Sequence, residues 1–94
     1  MTPALQNGAP WRVVDMRMLS ERSIFVRFRD GVQGSVRFEA EFFRGVFAHL
    51  VDPAKFAEVR VEMGAVTWPG ELDLAPDRMH ADIIARGECV LGAA

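Results

Sequence analysis

From Trp11 onward the chain alternates apolar and polar positions with period two. Val14, Met16 and Met18 fall on one side while Asp15 and Arg17 fall on the other, the pattern of a strand buried on one face. "LSER" interrupts the alternation as a turn, and Ile24, Val26 and Phe28 then alternate with Phe25, Arg27 and Arg29 in a second strand. Asp30-Gly31 follows at once. Between two alternating segments this pair predicts a hairpin through a tight primed turn, because glycine takes positive φ without a Cβ clash. A third strand is expected from about Val32 to Phe38, with Gly34 marking a bulge or the close approach of another backbone.

The period then changes to 3.6. In "EAEFFRGVFAHL", Phe42, Phe43, Val46, Phe47 and Leu50 form one apolar stripe, predicting a helix over residues 39–50 that clamps onto the sheet. Burying its three phenylalanines would contribute roughly 1.5–3 kcal/mol each. Gly45 inside that helix costs about 1 kcal/mol relative to alanine, so it marks either a tight helix–sheet contact or a tolerated defect. Asp52-Pro53 offers an N-cap and a first-position proline for a short turn, with Phe56 turned inward. Val59, Val61 and Met63 alternate with Arg60 and Glu62 in a fourth strand. Val66 and Trp68 begin a fifth, which Pro69 and Gly70 cut short. A last helix opens at Ala75-Pro76-Asp77, stacks Met79 on Ile83 and stops at Gly87.

These elements predict an α+β fold: a mostly antiparallel five-stranded sheet in the order βββ-α-ββ-α, with the main helix on one face and a shorter C-terminal helix near the edge. Residues 1–10 are expected as a flexible lead-in, 11–87 as a single compact domain and 88–94 as a C-terminal tail.

Composition narrows the class. Half of the 94 residues are hydrophobic and 26% are charged, a globular balance. No apolar run approaches the roughly 20 residues of a membrane span, and the opening residues lack a secretory layout, so a cytoplasmic location and no membrane partner are expected. Cys89 is the only cysteine, which excludes an internal disulfide. It has no neighbouring histidine to activate it. The formal charge of -2 hides an asymmetry. Residues 1–37 carry six arginines against three acids, whereas residues 38–94 carry five basic and ten acidic groups. The two halves can attract each other, which competes with any recruitment of nucleic acid.

Two constellations are candidates for chemistry. In the expected register Arg17, Arg27, Arg29 and Arg37 project from one side of the meander around Phe25, an array suited to carboxylate or phosphate. An RNA-binding sheet would need more exposed aromatics. The bland account is a solvated face balanced by Glu58 and Glu62. The second candidate is the acidic bend of Glu71, Asp73 and Asp77, near His80 and Asp82. Its spacing matches no metal motif. It reads more simply as a seam, with Asp77 in a helix first turn, Asp73 bonding in its own turn and His80 beside Asp77 in solvent. Without a triad order, phosphate loop or paired-histidine motif, the chain reads as no enzyme, with no cofactor and no metal.

Several motifs occur together in order: Asp30-Gly31 before a strand, the phenylalanine-rich segment, Leu50-x-Asp52-Pro53-x-x-Phe56, Val59-x-Val61, Gly64, Trp68-Pro69-Gly70 and Asp73 to Asp77. In this the chain resembles the small bacterial family of domains of unknown function number twenty-four forty-two, over about residues 10–83. It departs from the pattern between the proline and glycine after Trp68 and at Met79. The resemblance implies a compact α+β domain, alone or fused to a helix-turn-helix, in gene pairs that look like toxin–antitoxin systems, with no established catalytic residues. It implies a non-enzymatic binding module, the antitoxin-like member of such a pair, with a small protein partner encoded nearby. The acidic second half, with the bend of Glu71, Asp73 and Asp77, is expected to cover a basic or catalytic surface on that partner, and the arginine face is the other candidate partner-binding surface. The alternative is a self-associating structural domain whose meander edge or arginine face forms a homodimer, with no small-molecule ligand. No helix-turn-helix follows, so direct DNA binding is not expected.

Overall fold

Strands β1 (Val13–Ser20), β2 (Ser23–Phe28) and β3 (Gln33–Phe38) form the expected antiparallel meander in the computed structural model, which describes residues 9–92. The expected lead-in lies outside the described residues up to Gly8; Ala9 is buried and its carbonyl accepts the Arg12 N–H at 3.1 Å. Ile24, Val26, Phe28, Val36 and Phe38 are fully buried on one side, as their period-two spacing requires. The hairpin loop differs from expectation. Phe28 N–H donates to Val32 O at 2.8 Å, so three residues bridge the strands, and only Gly31 among them has positive φ (92°). Asp30 instead uses its carboxylate to accept the Val32 N–H at 3.0 Å, an Asx closure that makes a primed turn unnecessary.

The expected helix over 39–50 is absent. Two 3-10 segments, Ala40–Phe42 and Gly45–Val51, replace it. The break falls at Arg44, which is extended (φ -134°, ψ 160°), followed by Gly45 at φ 56°. Gly45 is therefore a hinge between two turns, not a contact within one helix. The phenylalanines still reach the core. Phe42, Phe43 and Phe47 are half-buried against it, Leu50 is buried, and only Val46 of the stripe is exposed. Phe38 is the hub, with ring centroids at 4.9 Å to Phe42, 5.1 Å to Phe56 and 6.0 Å to Trp68, all edge-to-face. Helix α1 (Pro53–Phe56) is one turn, capped as its sequence predicts: Asp52 Oδ1 accepts the Ala54 N–H at 3.0 Å.

The single five-stranded sheet is also corrected. Strands β4 (Arg60–Glu62), β5 (Ala65–Trp68) and β6 (Leu72–Asp73) form a separate antiparallel sheet. They cannot extend the meander at β3, because that edge is taken by β7 (Glu88–Leu91), running parallel to it. The expected C-terminal tail is thus the fourth strand of the main sheet, ordered β1-β2-β3-β7. The two sheets join where Val13 N–H donates to Gly64 O at 2.9 Å. Trp68 lies buried between them, its indole N–H donating to Phe56 O at 2.9 Å.

Helix α2 (Pro76–Arg86) supplies the crossover that a parallel pair demands. It packs through buried Met79 and Ile83 over the β3–β7 end of the main sheet, near the edge as expected. Gly34 permits this approach, since a Cβ there would meet Ile83 Cγ2 at 2.9 Å and Gly87 O at 3.0 Å. Of the two readings of Gly34, close approach is the one realised.

Candidate functional site

All elements that bury the main sheet lie against one of its faces. The other face is open, and the ladder registers define it row by row. Asp15, Arg27 and Gln33 form one row; Arg17, Phe25, Ser35 and Glu88 the next; Ser23, Arg37 and Val90 the third. Arg17, Arg27 and Arg37 therefore do share a face around half-buried Phe25. Arg29 does not join them in the ladder: it lies one residue beyond β2, where its N–H donates to Arg12 O at 2.8 Å.

The balancing charges come from sequence neighbours and adjoining strands, not from Glu58 and Glu62. Arg27 sits 3.7 Å from Asp15, and Arg37 reaches Glu39 at 3.0 Å and Glu88 at 3.5 Å. Glu62 is bound by Arg60 of its own strand at 2.7 Å. Arg17 forms no salt bridge among the described residues; its guanidinium lies over the Phe25 ring, 4.8 Å from the centroid. The face is a mixed-charge surface with one arginine held by an aromatic ring alone.

The acidic bend disperses. Glu71 is an exposed turn residue at φ 61°. Asp73 belongs to β6 opposite Thr67, and accepts the hydrogen bond of that buried hydroxyl instead of closing its own turn. Asp77 occupies the first turn of α2, where the helix dipole favours a carboxylate. His80 does not pair with Asp77. Its Nε2 lies 2.8 Å from Asp30 Oδ2, and its ring stands edge-on to Phe28 at 5.0 Å. Residue spacing missed this pair because Asp30 was already explained by its turn, and nothing local links positions 30 and 80.

Cys89 is buried, with Sγ 3.6 Å from Asp82 Oδ2. Burial, and then the Asp82 charge, push its thiol up to about 11, the opposite of an activated nucleophile. Among the described residues no cavity is found, and no three His, Cys, Asp or Glu side chains are grouped to hold an ion. No helix among them is long and apolar enough to cross a membrane.

The fold and its open face define a small α+β domain with two sheets and an uncovered arginine-bearing surface. The family described as Protein of unknown function (DUF2442) matches residues 13–85, and the chain belongs to it. No curated protein and no solved structure matches the chain.

Proposed function

We propose that this domain is a non-enzymatic interaction module whose open sheet face docks an acidic patch of a small protein, as the antitoxin-like member of a two-gene pair. The observation that carries this reading is the uncovered array of Arg17, Arg27 and Arg37 around Phe25. Arginine forks bind carboxylates bidentately, and a half-buried aromatic among them supplies the apolar centre that protein interfaces favour. Arg17 is available without displacing an internal carboxylate, whereas Arg27 and Arg37 would exchange Asp15, Glu39 and Glu88 for partner groups. The gene arrangement implied by the family resemblance points to the product of the adjacent gene as the occupant.

Co-expression with that product, followed by affinity capture, tests the reading. A stable complex is expected, weakened at least tenfold by Arg27→Glu combined with Arg37→Glu. Failure to form a complex at about micromolar concentration, or a complex indifferent to those substitutions, removes it.

A further inference from the structure

We infer that the edge of β1 over residues 15–18, beyond the Val13 N–H that Gly64 O already takes, pairs with β1 of a second copy of this chain, antiparallel about a two-fold axis through Met16. This goes beyond the reading above and uses the backbone edge of the sheet, sharing only Asp15 and Arg17 with its open face. The backbone directions come first. Phe28 N–H donates to Val32 O and Phe38 N–H to Arg22 O, so the even-numbered residues of β2 face β3. Phe25 and Arg27 therefore bond to Arg17 and Asp15 of β1, and Met16 and Met18 turn their N–H and C=O groups toward the open edge. At that edge the Met16 N–H is met by the adjacent Asp15 Oδ1 at 2.9 Å.

The side chains carry the same message. On the core side of this edge stand Met16 and Met18, whereas Val14 is the bulged residue between Asp15 and Val13, which is buried opposite Phe28; Val14 and Met18 remain 48% and 40% exposed beside a core whose Ile24 and Val26 are at 0%. On the outer side stand Asp15 and Arg17, opposite charges two residues apart. Centring the two-fold on Met16 sets Asp15 against Arg17 of the second copy, twice over. Met16 then faces itself, with bulged Val14 beside Met18 of the second copy. Each outer pair is oppositely charged and the central inner pair is apolar. Shifting the centre by one residue to Arg17 or Asp15 sets like charges face to face. A centre between residues would set the apolar row against the charged one. Bulges at Val13/Asp15 and Met18/Ser20 confine the regular ladder to residues 15–18. The product is a continuous eight-stranded sheet.

Sedimentation of the purified chain at about 50 µM tests this, since association follows mass action. A dimer is expected. Arg17→Asp and Asp15→Arg should each be monomeric alone, because each faces its mate with like charges, and an equimolar mixture should recover the dimer by pairing an acidic edge with a basic one. Met16→Cys should form an interchain disulfide under mild oxidation, as facing Cα atoms in a hydrogen-bonded antiparallel pair lie about 5.5 Å apart. A monomeric wild type, a dimer that survives both single substitutions, or a mixture that stays monomeric overturns the inference. Where a charge variant fails to fold, the cross-link decides: a folded Met16→Cys chain that stays uncross-linked overturns the register.

Discussion

His80 Nε2 and Asp30 Oδ2 lie 2.8 Å apart, tying helix α2 to the hairpin loop across 50 positions of sequence. The bond holds the Asp30 carboxyl below its usual 3.8, with the Val32 N–H helping. The stabilised form is the ionised one. Its contribution is fully present above pH 3.8 and is lost as pH falls through the lowered folded value. Asp30→Asn should therefore melt below the wild type above pH 3.8, with the gap closing in more acid solution. Melting curves followed by circular dichroism across the acid limb check this, and a gap that widens in acid contradicts it.

Gly34→Ala should destabilise the domain by about 1–3 kcal/mol, since a Cβ has no room beneath Ile83 and the Gly87 carbonyl. Ile83→Val in the same chain should recover part of the loss by removing a methyl from the contact. Urea unfolding of the single and double variants measures both effects.

Trp68→Phe should cost about 1–3 kcal/mol, combining lost indole volume with the lost bond to Phe56 O. The same denaturant midpoint reads it. An unchanged midpoint would mean that Trp68 is not the buried link between the sheets.

Met63 is 91% exposed at φ 52°, followed by Gly64 at φ 82°, so a methionine occupies the first position of a primed two-residue turn. Met63→Asn should raise stability by roughly 0.5–1 kcal/mol, because asparagine tolerates the left-handed region. Thermal melting should show the gain.

The Cys89 thiol, pushed to about 11, should react slowly with a chromogenic disulfide reagent at pH 8 and rapidly once urea exposes it. Fast reaction in the folded state would contradict its burial.

Legibility followed the range of the interactions. The meander was plain because Ile24, Val26, Phe28, Val36 and Phe38 obey a two-residue rhythm that any half-buried strand imposes. The caps at Asp52 and Gly87 were equally plain, being local chemistry. The phenylalanine stripe predicted burial correctly and conformation wrongly: aromatic packing on Phe38 holds the rings wherever the backbone breaks, and Gly45 allowed it to break. Strand β7 was missed because four residues beginning "EC" carry too short a rhythm to stand out, and its pairing partner lies 53 residues away along the chain. Of the arginine array, Arg17, Arg27 and Arg37 followed from parity alone, while Arg29 was lost to a loop one residue longer than the Asp-Gly pair implied. The Asp30–His80 bond had no signature of either kind.

The parallel partnership of β3 and β7 carries a consequence for biogenesis. During synthesis the meander leaves the ribosome first, and the flank of β3 stays bare until residues 88–91 emerge to cover it. Closing so long a loop is slow compared with forming a hairpin, so this interval is when the nascent domain is most open to adventitious strand pairing. Chaperone dependence should therefore track the rate at which this last segment is delivered, more than the strength of the aromatic core.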